Sequence, residues 1–235
     1  MAFPTPGWSG LAWLAPGALF FSCLGLPRKA TFRVGWMAGM AHFLVLHRWL
    51  LGIPFPAGAI AGWLALAAYC GSYFGLWTLA LSYLLSLARR SPVSAPGLRG
   101  SPSLINLWGG WMAKLPSVAA NPDWLQRPTP PPLTGWFGAV ASYASIPWAG
   151  RTGLALVGAA AWVALEWFRG WFLSGFPWCF LGISQWTQIP LLQLASVTGL
   201  YGVSFLVCWC SLALFGAFAM LVCQPQRRWG WMSEA

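Results

Sequence analysis

An acid and an arginine stand close together in an otherwise apolar stretch, residues 162–188. Glu166 is one of only three acidic residues among 235, and Arg169 follows it three positions later. At that spacing, two side chains lie on the same face of a helix. Two interpretations of this pair are open: an ion pair that fixes helix packing, or part of a site that holds a lipid headgroup.

A second group of chemically capable residues lies at the end of an earlier apolar run. His47 and Arg48 can both extend their polar ends to the membrane interface, and Arg48 can alternatively contact the phosphate of a phospholipid. Trp178, in a Gly-Phe-Pro-Trp turn, is predicted to be an interface anchor or a guide for acyl chains. Our candidate lipid- or substrate-binding residues are Arg48, Trp49, Glu166, Arg169 and Trp178.

The other metal-binding and nucleophilic residue types do not form a recognisable site. His42 and His47 are five positions apart and lie on different faces of a helix, and Cys208 and Cys210 face away from each other. The six cysteines show no disulfide framework, and Cys179 is predicted to be a packed thiol. We therefore predict no metal site and no cofactor.

The composition indicates the class of protein that must position these residues. Hydrophobic residues make up 58% of the chain and charged residues only 7%, whereas about a quarter of a soluble domain is charged. The net charge of +10 does not indicate nucleic-acid binding, because the basic residues lie in the gaps between apolar runs, as in cytoplasmic loops. The nineteen tryptophans are typical of aromatic belts at two membrane interfaces.

We predict a single transmembrane domain, an all-α integral membrane protein with about five transmembrane helices plus a cytoplasmic interfacial helix. The predicted spans are residues 8–26, 34–53, 57–87, 152–174 and 189–223. Residues 89–151 form a Pro/Ser-rich cytoplasmic insert. Within it, apolar residues at spacings of three and four predict the interfacial helix over 104–115, and 136–149 are predicted to be buried or re-entrant.

The distribution of charge predicts the orientation. Lysine and arginine follow the first and third runs and occupy the tail, but the turns at 52–58 and 175–188 carry no charge. Because lysine and arginine resist translocation, the uncharged turns are predicted to face outward.

The order of residues around the acid and the arginine resembles one family. E-x-x-R-G-W begins at Glu166, G-F-P-W occupies 175–178, and G-x-S-Q occupies 182–185. This order resembles apolipoprotein N-acyltransferase, the last enzyme of bacterial lipoprotein maturation, closely over 152–207 and weakly over 2–88. The family's Asn-Trp-x-Tyr motif is replaced by His47-Arg48-Trp49-Leu50-Leu51, which keeps the tryptophan and loses the tyrosine.

The resemblance implies a multi-pass protein of the bacterial inner membrane that transfers an acyl group from a phospholipid to an N-terminal diacylglyceryl-cysteine. In the family, a nitrilase-like domain outside the membrane supplies a Glu-Lys-Cys triad. The only lysines here are Lys29 and Lys114, both assigned to the cytoplasmic side, so we predict no catalytic residues. We expect a truncated chain, without the family's first helix or catalytic domain, that is inactive alone.

The implied partners are the phospholipid bilayer, a phospholipid acyl donor, an apolipoprotein and a separately encoded nitrilase-like domain, with no nucleic acid. A second interpretation is a non-catalytic membrane subunit or scaffold that binds lipid or a partner protein. A small transporter is a weaker third, because it predicts inverted repeats and several polar residues at mid-membrane.

Overall fold

The structure, a computed structural model, describes residues 9–90 and 135–223, and these ranges contain helices and no strand. The helices are α1 (Ala15–Ser22), α2 (Arg28–Leu46), α3 (Pro56–Arg90), α4 (Gly135–Ala144), α5 (Trp148–Arg169) and α6 (Ile189–Cys223). Short 3-10 turns cover Ser9–Trp13, His47–Gly52, Phe172–Ser174 and Leu181–Gln185. The interfacial helix predicted over 104–115 lies outside the described residues.

Three of these helices, α3, α5 and α6, are long and apolar enough to cross a membrane. Helices suit such segments because every backbone polar group is then paired within the segment, where no water is available. The prediction of an all-α membrane protein is therefore confirmed. Helices α1 and α2 are not among these three, since α1 has only eight residues and α2 carries three cations in its first six residues. The predicted number of five spans therefore stays a prediction.

Helices α2 and α3 form a hairpin, and glycines line the interface between them. Gly35 and Gly39 on α2 meet Gly75 and Gly71 on α3, so that a G-x-x-x-G motif on each helix faces the other. A Cβ atom on Gly71 would lie 2.7 Å from the backbone nitrogen of Met40. Small residues let two membrane helices approach this closely and pack backbone against backbone.

The remaining helices pack around the long helix α6. The backbone N–H of Gly17 on α1 donates to Ser211 Oγ on α6 at 2.9 Å, and the Trp77 indole on α3 donates to the Gly158 carbonyl on α5 at 2.9 Å. Helix α6 bends at Gly199, whose φ of 67° is available to glycine without strain. These contacts join α1 and α6, the first and last helices of the described residues, to one apolar core.

The observed helix bounds differ from the predicted ones at several ends. The first run, predicted as one span over 8–26, divides into a 3-10 turn and α1, and α2 ends at Leu46 instead of 53. Residues 135–151, assigned to the insert, form α4 and the first turn of α5.

The end of α5 lies nearer to the amino terminus than the Gly-Phe-Pro-Trp turn suggested. The helix ends at Arg169, and not at 174, because the backbone leaves the helical conformation at Trp171, whose φ is −131°.

Arg151 is the last residue of the predicted cytoplasmic insert, 89–151, but the structure places it in a helix. Its side chain is buried within the first turn of α5. One guanidinium nitrogen donates to the carbonyls of Ala144, the last residue of α4, and Ile146, two residues beyond it. Arg151 therefore pairs carbonyls at the end of a helix, which a positive charge there favours.

Candidate functional site

The described residues enclose a cavity of about 320 Å³ between α1, α2, α3, α5 and the connection that follows α5. This volume lies at the lower end of the range for small-molecule sites, about 300–1,000 Å³. Most of the wall is aliphatic or aromatic. Besides the indoles of Trp77 and Trp162, the wall residues with polar or sulfur side-chain atoms are His42, Cys70, Tyr73, Glu166, Arg169 and Cys179.

Arg169 supplies a buried cation to this cavity. Its side chain is 4% exposed, and its guanidinium carbon lies 5.2 Å from the ring centroid of Phe43 and 5.1 Å from that of Phe180. Two aromatic faces therefore hold the cation without using its N–H donors. Nη1 has no hydrogen-bond partner among the described residues, and a buried donor without a partner is costly. This arrangement can bind an anion.

Glu166 is buried one helical turn before Arg169, but the two side chains do not form an ion pair. Glu166 Oε1 accepts hydrogen bonds from the Trp162 indole at 2.9 Å and from the backbone N–H of Leu181 at 2.7 Å. Glu166 Oε2 and Arg169 Nη1 both lack hydrogen-bond partners within the described ranges. The ion-pair interpretation is therefore wrong, because the acid is held by an indole and a loop amide.

The G-x-S-Q motif hydrogen-bonds the connection after α5 to α6 and to the first 3-10 turn. The Gly182 N–H donates to Ser204 Oγ at 2.8 Å, and the Gln185 amide donates to the Ser9 carbonyl at 3.1 Å and accepts from the Trp13 indole at 3.0 Å. Ser184 and Gln185 are fully buried. Sequence reasoning matched this motif to a family without assigning it a role, although two polar side chains within an apolar stretch were a usable signal.

The remaining predicted site residues form a separate group. The rings of Trp49 and Trp178 lie 6.4 Å apart on two different connections and are 59% and 61% exposed. Arg48 is also exposed. None of these three lines the cavity, so the five predicted residues divide into a buried pair and an exposed group.

His47 and Cys179 are both more enclosed than residues at a water-exposed interface. His47 is 1% exposed, stacks on Phe43 at 5.2 Å and meets the edge of Phe176 at 5.1 Å. The prediction that His47 extends to the interface is therefore wrong. Burial raises the pKa of the Cys179 thiol, which keeps it protonated and is the opposite of what a nucleophile needs.

The fold and the cavity define this protein as an all-α membrane protein with a buried cation beside an apolar chamber. Its residues 129–213 match the family model of the apolipoprotein N-acyltransferase N-terminal domain. The resemblance to the apolipoprotein N-acyltransferase family that the motifs predicted is thus confirmed over these residues.

Individual relatives agree with this assignment. The chain is similar to the apolipoprotein N-acyltransferase of Geobacter metallireducens, with 26% identity over 215 residues, 92% of this chain and 30% of the relative. It is 34% identical to that of Pseudomonas aeruginosa (strain UCBPP-PA14) over 196 residues, 74% of this chain and 33% of the relative. With that of Methylococcus capsulatus, identity is 46% over 77 residues, 33% of this chain and 14% of the relative. The chain spans about a third of the length of the first two.

Proposed function

We propose that this chain is the membrane-embedded part of an apolipoprotein N-acyltransferase-like protein and that its cavity holds the phospholipid acyl donor. The observation that carries the proposal is the combination of an apolar cavity with a buried arginine whose Nη1 has no partner among the described residues. An acyl chain fits the apolar wall, and a phosphate or carbonyl oxygen satisfies Arg169. Arginine suits this task because its planar donors match phosphate oxygens.

The exposed tryptophans extend this proposal to the surface of the protein. We propose that Trp49 and Trp178 lie at the level of the lipid headgroups, where indole rings are favoured, and that Arg48 contacts phosphate there. A lipid would then be recognised by the exposed group at the surface and by Arg169 inside.

The acyl-transfer step needs catalytic groups that we propose lie on a separate domain. Transfer of the acyl group through a cysteine requires a base, a lysine that stabilises the oxyanion and a reactive thiol. Lys29 is the second residue of α2, and at 1.5 Å per residue it lies about 20 Å along that helix from His42 on the cavity wall. We therefore propose that a nitrilase-like domain supplies the triad and that residues 1–235 do not acylate an apolipoprotein alone.

A lipid and activity measurement on the purified chain tests this function. We expect phospholipid to be retained in detergent and detected by mass spectrometry, and a diacylated lipopeptide to remain unacylated by this chain alone. Acylation by this chain that is lost in Cys179→Ser would contradict the proposal that the catalytic triad lies on a nitrilase-like domain. Retained protein partners without phospholipid would favour the alternative, a non-catalytic scaffold.

We also propose an orientation across the bacterial inner membrane, with the connections at 52–58 and 175–188 facing the periplasm. In a cysteine-free background, single cysteines at the exposed positions Gly52 and Thr187 should react with an impermeant thiol reagent in intact spheroplasts. A cysteine at Ser101, outside the described residues, should not react. Labelling at Ser101 alone would reverse the orientation.

A further inference from the structure

We propose that Glu166 is a positioning residue: its two hydrogen bonds hold the segment 180–185, the anchored loop, against the cavity, and this role needs the reach of its oxygen and not its negative charge. The proposal rests on the proposed function only in naming the cavity as a lipid site. Glu166 itself is not assigned a contact with the lipid.

The geometry connects Glu166 to the cation through the anchored loop. Glu166 Oε1 accepts the Leu181 N–H at 2.7 Å, and the preceding residue, Phe180, provides one of the two rings that hold Arg169. Because Glu166 and Arg169 belong to the same helical turn, one turn of α5 fixes both the cation and the loop that covers it. Release of Leu181 would withdraw one of the aromatic faces from Arg169.

The same carboxylate oxygen also fixes a wall of the cavity. It accepts the Trp162 indole N–H at 2.9 Å, and the Trp162 ring packs edge to face against Phe74 and Trp77, with centroids 5.0 Å apart in both cases. All three rings line the cavity. Loss of this acceptor would leave two buried donors, the Trp162 indole and the Leu181 amide, without a partner, which is costly.

A charge is not needed for this role, because both donors to Oε1 are neutral N–H groups, which a neutral carbonyl oxygen also accepts. Oε2 has no hydrogen-bond partner in the part of the chain that the structure describes, so a glutamine amide can occupy its position while the remaining carbonyl oxygen accepts both bonds. Aspartate keeps the charge but is shorter by one methylene group. The two variants therefore separate reach from charge.

The experiment uses Cys179, which adjoins the anchored loop, as the reporter. The other five cysteines are replaced by alanine, and the rate of reaction with N-ethylmaleimide is measured in detergent. Glu166→Gln should react at the wild-type rate, and Glu166→Asp should react about tenfold faster, because loss of about 1.4 kcal/mol from loop closure raises the open population tenfold.

A folding control is made with Cys208, which is fully buried on α6, as the only cysteine. In this background Cys208 should react slowly in the wild type and in every Glu166 and Ser204 variant. Slow reaction of Cys208 would show that the helices stay packed, so that faster reaction of Cys179 reports opening of the anchored loop alone. Ser204→Ala removes the neighbouring anchor from Gly182 and should accelerate Cys179 to a smaller degree.

Fast reaction of Cys179 in Glu166→Gln, or slow reaction in Glu166→Asp, would overturn the proposal. Phospholipid retention is measured on the same proteins. If the wild type retains no phospholipid, the proposed function fails, while the order of the labelling rates still decides the role of Glu166.

Discussion

Arg169→Leu should lower the affinity of the purified protein for phosphatidylglycerol about 30-fold or more. Loss of one partner from a buried, hydrogen-bonded charge pair costs about 2–5 kcal/mol, and about 2 kcal/mol corresponds to a 30-fold change. The thermal stability of the lipid-free protein should change little. Leucine loses the contacts with Phe43 and Phe180, but it also removes a buried cation that has an unsatisfied donor.

The affinity is measured by titration with the lipid in detergent, and stability by thermal unfolding in the same detergent. Arg33→Leu is the matched control, because it removes the same charge from an exposed position on α2 and should leave both quantities near the wild-type values. Arg169→Lys should be intermediate, since an ammonium group keeps the charge but lacks the planar donor pair. A fall in stability with unchanged lipid affinity would show that Arg169 has a structural role.

Gly71→Leu should destabilise the protein by more than about 3 kcal/mol, the upper end of ordinary overpacking. Even the Cβ atom would lie 2.7 Å from the Met40 nitrogen and 2.9 Å from the Trp36 carbonyl oxygen on α2. Both obstacles are backbone atoms, so no rotamer change can relieve the contact, and α2 must move away from α3.

Gly62→Leu is the control for this effect. Gly62 lies on the same helix, α3, but a Cβ atom there has no neighbour within 4 Å. The side chain would point into open space and the helical propensity would improve, so stability should stay within about 1 kcal/mol of the wild type or rise. Thermal unfolding of both variants in detergent checks this, and equal effects would contradict the close approach of α2 and α3.

The class of protein and the positions of its long helices could be predicted from the sequence. Helix α3, Pro56–Arg90, covers the run predicted over 57–87, and α6 has the predicted bounds, 189–223, with a bend at Gly199. These features depend on local information, because an apolar segment in lipid must satisfy its backbone hydrogen bonds within itself. Helix ends were less predictable, since the backbone of α5 leaves the helical conformation at Trp171, before the proline turn is reached.

The site could be predicted only as a set of residue types. Helical spacing places Glu166 and Arg169 on one face of α5, but it does not say what the face meets. Glu166 bonds an amide on the next connection, and Arg169 lies between an aromatic ring of α2 and one of the anchored loop.

The sequence by itself thus determined the membrane class, the long helices and the family motifs, because these depend on composition and on neighbours along the chain. The tertiary structure alone decided which buried groups meet: that the glycines of α2 and α3 face each other, that Leu181 bonds Glu166, and that Arg169 lies between two rings. The physical reason is that each helix satisfies its own backbone locally, whereas the partner of a buried side chain depends on which helix faces pack together.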